Sequence, residues 1–239
     1  MDSIVASLKL GWEALLLKDE AYEEMGAAQS PVVKGFLLIL IVGVTIALFG
    51  FVGDALAWAS TPDLSEIKDI VYHYLTQMPW WQLVARGDPA FVQTFQRWYE
   101  LGWGMALALT PSVGSAAVGV IMTPVALIAR WLIYGLLAYL FARWLGGTAD
   151  LSQTLGVLAL AVAPQALNLL TFIPYVHLGG VVSVWGILCA YVGLKTAHKL
   201  SWDRALWATV LPFILFFAAL FLSSCLATAI LGAAIGGGS

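Results

Sequence analysis

Apolar side chains run along this chain in five long blocks joined by shorter polar stretches. The first extends from about Gly35 to Ala57, with Asp54 near its end as its one charge. The others cover about Pro124–Leu145, Leu155–Pro174, Gly179–Leu194 and Ala205–Ile230. A helix needs about 20 mostly apolar residues to cross a hydrocarbon core, so the pattern predicts five transmembrane spans. Leu101–Ala129 is uncharged but rich in Gly, Ala and Ser, and it carries Pro111 and Pro124. Its part before the second span, 101–123, could form a sixth span, a re-entrant segment or an interfacial helix. Glycine and proline weaken a continuous helix, and the interfacial or re-entrant form is the expectation.

The polar stretches have a pattern of their own. Between about Trp58 and Gly104, Thr61-Pro62 and Asp88-Pro89 read as helix starts. After the first, Leu64, Ile67, Val71, Tyr74 and Leu75 recur at helical spacing opposite Glu66, Lys68 and Asp69. After the second, Phe91, Val92, Phe95, Trp98, Tyr99 and Trp103 share one broad face. Trp80 and Trp81 lie between, and helices of this kind suit the membrane interface. Before the first span, Ile4, Leu8, Trp12, Leu15 and Leu16 mark a third such helix. The fold class expected is an all-α membrane protein, a five-span helical bundle with amphipathic interfacial helices. Residues 1–31 form an N-terminal cytoplasmic segment. Residues 32–239 form the transmembrane domain, with an extracytoplasmic loop at about 58–115.

Composition supports this. Of 239 residues, 61% are hydrophobic and only 10% charged, against roughly 25% charged in a soluble domain. Net charge is −3, so no basic field is offered to nucleic acid. Cys189 and Cys225 lie in separate apolar runs, which gives no disulfide framework. Acidic residues are scattered through Met1–Met25, unlike a cleaved signal peptide. With the N-terminus in the cytoplasm, Lys9, Lys18, Lys34, Arg143, Lys195, Lys199 and Arg204 fall on the cytoplasmic side, and only Lys68, Arg86 and Arg97 fall outside. That orientation follows the positive-inside bias and puts the C-terminus outside.

Candidate chemistry is sparse. Arg130 in the second span reads either as an anchor paired with Asp54 or as a substrate or ion contact facing the bundle interior, since a charge inside a bilayer is costly. Pro164-Gln165 and Asn168 place amides in the third span, where such groups hold helices together or line a site. Ser224, Thr228, Gly232 and Gly236 make a small-residue stripe suited to close helix contact. Lys195 and Lys199, with His198, close the fourth span where anionic lipid or a partner could be met. Trp98 and Trp103 are further candidates for partner or lipid contact. His73, His177 and His198 fall in three different loops, and no spacing of a nucleophile, zinc or phosphate motif is present. No catalytic residue, metal ligand or cofactor is therefore expected. The reading is a non-enzymatic membrane scaffold or accessory subunit contacting lipid and other integral membrane proteins, as in a larger complex. The alternative is a small-solute or ion transporter or channel with Arg130 and Asn168 along its path. An enzyme would need a polar cavity joining Arg130, Asn168 and His177.

One ordered set of residues goes further. Phe141-Ala-Arg-Trp-Leu-Gly146-Gly147-Thr-Ala-Asp-Leu-Ser-Gln-Thr-Leu155 is followed by Ala161-Val-Ala-Pro164, Ile173-Pro174, Trp185, the run Val192 to Ser201, and Ala205. Asp19-Glu20-Ala21-Tyr22-Glu23-Glu24 precedes the first span. Over about Asp19–Leu220 this resembles the YIP domain family, the Ypt-interacting membrane proteins and their prokaryotic relatives. The resemblance implies five spans, a cytoplasmic N-terminus, an outward C-terminus and, for a prokaryotic-type member, the plasma (inner) membrane. Eukaryotic members are implicated in Rab GTPase binding and in shaping or sorting transport membranes. The long aromatic loop departs from the family, as does the lack of an extended polar N-terminal region, so GTPase binding is not carried over. Gly146-Gly147 is expected to end the second span, with Asp150 or Ser152 capping the third.

Overall fold

The computed structural model of the chain describes residues 2–60, 63–108, 110, 113–172 and 178–236, and all regular elements among them are helical. They are α1 (Asp2–Leu15), α2 (Asp19–Gly26), α3 (Pro31–Ser60), α4 (Leu64–Gln77), α5 (Pro79–Gly87), α6 (Pro89–Ala108), α7 (Val113–Trp144), α8 (Leu151–Ala159), a 3-10 helix continuing it (Leu160–Phe172), α9 (Gly179–His198) and α10 (Trp202–Gly236). Five stretches are long and apolar enough to cross a membrane: Pro31–Leu56, Ala117–Trp144, Leu151–Leu170, Gly179–His198 and Trp202–Thr228.

The second span corrects the expectation for Leu101–Ala129. Among the described residues that stretch holds no span of its own. Its first part finishes α6, and from Val113 it forms the opening half of α7, which runs through Pro124 without a break. The reason lies on α3. A Cβ added at Gly43 would meet the Pro124 Cα at 3.0 Å, so the glycine leaves a notch that accepts the proline. A neighbouring helix can shield a proline in this way within a membrane.

The chain divides into two compact units, Met1–Phe49 with Val120–Ser239, and Gly50–Gly119. In the first, helices meet through small residues. A Cβ on Gly35 would lie 2.6 Å from that of Ala159, and one on Gly156 would meet the Pro31 backbone at 3.1 Å. Ala138, Ala142, Ala190, Ala205 and Ala208 are buried beside Leu38, Leu158 and Leu194. Such residues let backbones approach until dispersion and polar contacts hold them. Asp150 caps α8 in a capping box with Gln153. The following turns tighten to 3-10 geometry around Pro164, which lacks an N–H and disfavours α-helical backbone at Ala163.

The first two helices belong to this core. Of the apolar residues that mark α1 as an interfacial helix, Leu8, Trp12 and Leu16 are exposed, Trp12 at 64%. The buried face is Ser7, Leu10, Gly11 and Ala14. The Trp185 indole N–H donates to Leu15 O at 2.8 Å, and the Cys189 thiol donates to Ala14 O at 3.5 Å. Tyr22 on α2 is fully buried, and its hydroxyl donates to Ala14 O at 3.1 Å. Burial, then the neighbouring Cys189, holds its phenol well above the usual tyrosine range.

The second unit is built from aromatic rings. Phe91, Phe95, Tyr99 and Trp103 follow at successive turns of α6, with ring centroids 6.2, 5.8 and 6.0 Å apart. Trp81 from α5 meets Phe95 edge-on at 4.7 Å, and it is the one buried hydrophobic residue of this unit among the described residues. The Tyr99 hydroxyl donates to Lys68 O at 2.6 Å, and the Lys68 ammonium to Glu100 at 2.6 Å, tying α6 to α4. That hydrogen bond to Glu100 raises the lysine above its ordinary value. The α4 cap is Asp63, which accepts from Ser65 N at 2.8 Å. The expected Thr61-Pro62 start lies outside the described residues. Asp88 caps α6 as its position before Pro89 implies, accepting from Ala90 and Phe91.

Candidate functional site

Arg130 sits near the middle of the Ala117–Trp144 span, not two turns from its end. At about 1.5 Å per residue it is about 20 Å along α7 from Arg143. It lines a cleft of about 70 Å³ to which every span of the first unit contributes. Ile39 comes from the first span and Phe213 from the last; Gln165 and Gly186 come from the third and fourth. Tyr134 and Trp131 flank Arg130 on its own helix. The Trp131 indole N–H donates to Leu155 O at 2.9 Å, and the Tyr134 hydroxyl donates to Thr209 O at 3.1 Å, fixing α7 against α8 and α10. Gln165 Oε1 accepts from Asn168 Nδ2 at 2.8 Å. Asn168 does not itself line the cleft but bonds Gln165, which does, and His177 lies outside the described residues. Asp54 belongs to the second unit.

Among the described residues no carboxylate lines the cleft, and Arg130 makes no ion pair or hydrogen bond. Arg130 is itself exposed beside the apolar lining of Ile39, Leu127, Leu158, Val162 and Phe213, and so is open to an external partner.

A second constellation closes one end of this unit. Lys34 begins the first span, Arg143 ends the second, Lys195 and Lys199 end the fourth, and Arg204 begins the last. Lys195 and Lys199 are exposed. Arg143 donates to Gly147 O at 3.3 Å and Arg204 to Leu145 O at 3.3 Å, which satisfies carbonyls at the end of α7. The chain turns there at Gly146, φ 93°, as the paired glycines imply. Gly147 matters for space: His198 Nδ1 and Ala142 O occupy the place a Cβ would take. His198 is buried, and its Nε2 lies 2.9 Å from Thr154 Oγ1. This buried histidine–threonine contact between α9 and α8 was not foreseen. Its signal was faint, a histidine at the end of one span and a threonine one turn inside the start of the preceding one.

The stripe on α10 stands apart. Ser224 and Thr228 are exposed, and the Thr228 hydroxyl donates to Ser224 O at 3.0 Å. From Ile214 to Thr228 every side chain is exposed. Gly232 and Gly236 lie in the same helix, but their surroundings fall outside the described residues. In the second unit, Trp98 is 67% exposed, and it lines a shallow groove with Tyr99, Gly102 and the half-buried Trp103.

These features define an integral membrane protein with five membrane-crossing helices. The family model of the Yip1 domain matches residues 12–223, and the chain belongs to that family. No curated protein and no solved structure matches it.

Proposed function

We propose that this chain is a non-enzymatic membrane scaffold or accessory subunit that binds other integral membrane proteins and lipid. The observation that carries this reading is α10: over Ile214–Thr228 it is exposed on every face, with Ser224 and Thr228 on one stripe. A helix of this kind has room for a second helix at close range. The aromatic face of α6, with the exposed Trp98 and the half-buried Trp103, suits lipid head groups or a partner at the interface. The basic end, with Lys195 and Lys199, suits the anionic cytoplasmic leaflet of a prokaryotic inner membrane. That end then faces the cytoplasm, and the C-terminus lies outside.

The test is purification from native membrane in mild detergent, followed by native mass analysis. The wild-type chain is expected to carry a second membrane protein, and the Ser224→Phe/Thr228→Phe variant to lose it while remaining monodisperse. A wild-type particle that is strictly monomeric, with neither protein nor ordered lipid, sinks the reading. A second reading, a small-solute or ion path, draws on Arg130 in a cleft shared by all five spans. It requires liposome flux that Arg130→Ala abolishes, and absence of flux removes it.

A further inference from the structure

We propose that the Arg130 cleft binds the phosphate of one membrane phospholipid. This deepens the lipid-binding role proposed above, and it rests on that reading.

The donor set points to an anion. The guanidinium presents five N–H groups and is unpaired among the described residues. Gln165 already accepts from Asn168 through its Oε1, which leaves its amide N–H groups to donate. Among the described residues no carboxylate shares the space. An unpaired arginine within hydrocarbon is costly, and a bound anion would offset that cost.

Depth and size select the carrier of the charge. With the hydrocarbon boundary at the basic end, a core of about 30 Å leaves Arg130 about 10 Å inside the opposite face. A lipid head group can be drawn that far, because bilayers thin locally around buried charge. A cleft of about 70 Å³ has no room for a helix about 10–12 Å across, but it accepts a tetrahedral phosphate. Arginine in place of lysine is apt, because its planar fork engages two phosphate oxygens at once.

The experiment uses the full chain in maltoside detergent, titrated with dioctanoyl phosphatidylglycerol and read by native mass spectrometry. Dioctanoylglycerol, octanoate and inorganic phosphate serve as comparison ligands. Arg130→Gln is expected to weaken phosphatidylglycerol binding at least about tenfold, the scale of a lost charge-assisted hydrogen-bond pair. Arg130→Lys should fall between the two, Gln165→Leu should lose about threefold, and Lys195→Gln/Lys199→Gln should bind as wild type. Wild-type affinity in both Arg130→Gln and Gln165→Leu overturns the proposal. So does octanoate or inorganic phosphate binding as tightly as the phospholipid, or a loss confined to the Lys195/Lys199 variant. Should Arg130→Gln fail to fold, unchanged affinity in Arg130→Lys and Gln165→Leu overturns it equally. Lipid lost from Arg130→Gln with its protein partner retained separates this site from the scaffold role, which is tested on Ser224 and Thr228.

Discussion

The two units of this chain hold their helices by opposite means. In the first, contact is made where side chains are missing: Gly35 against Ala159, Gly43 against Pro124, Gly156 against Pro31. In the second, contact is made by the largest side chains, the ladder from Phe91 to Trp103 with Trp81 set into it. The contrast follows from the solvent each pattern suits. Between spans, lipid tails solvate a leucine as well as another leucine does, so association comes from close backbone approach and a few hydrogen bonds. Aromatic rings, part apolar and part polar, belong where hydrocarbon gives way to water.

Three substitutions test that division. The largest effect is expected from Trp81→Ala, which removes the one buried anchor of the second unit and should cost about 3 kcal/mol of local stability. Hydrogen exchange should rise across α4 to α6 and stay unchanged in α8 and α9; equal loosening of both units breaks the comparison. Next comes a pair of glycines. Gly156→Ala places a Cβ against Pro31 and should cost about 1–3 kcal/mol. Gly102→Ala, with nothing within 4 Å of the new methyl, should be neutral or gain up to about 1 kcal/mol of helix stability. Reversible unfolding in mixed micelles reads both, and a loss at Gly102 would refute the division.

The smallest effect concerns Asp63. The Ser65 hydroxyl at 2.5 Å and the Ser65 amide hold its carboxyl below the ordinary aspartate value. A group depressed in the folded state contributes stability above its unfolded pKa and loses it as pH falls through the folded one. Amide protection at Leu64–Ile67, corrected for intrinsic exchange, should therefore fade only on the acid side of about pH 3.9. In Asp63→Asn that acid dependence should vanish.

Much of this was legible in the sequence, and the rest was hidden for physical reasons. Five apolar blocks announce themselves because each alone must satisfy the length of a bilayer. The caps at Asp88 and Asp150, and the turn at Gly146, are local chemistry and read directly. The large apolar residues of α1 mark an interfacial helix, but they do not tell which of its residues pack on the protein. Here Leu8, Trp12 and Leu16 point away from the protein while Ser7, Gly11 and Ala14 pack. The spacing of those small residues was present, but leucine and tryptophan outweighed it. Pro124 was read as a helix start because its compensating notch, Gly43, lies on another helix. That misplaced boundary put Arg130 near the surface, when it sits deep in its span. Gln165 was noted only as an amide in lipid, since no local pattern tells which helix it faces.

The 3-10 stretch of the third span changes how that span fits its surroundings. At about 2.0 Å per residue, against about 1.5 Å for an α-helix, Leu160–Phe172 reaches about 6 Å farther than the same residues would if fully α-helical. The third span therefore carries slack in its winding. Every residue that rewound would draw its ends about 0.5 Å closer, a shortening that Pro164 opposes at Ala163.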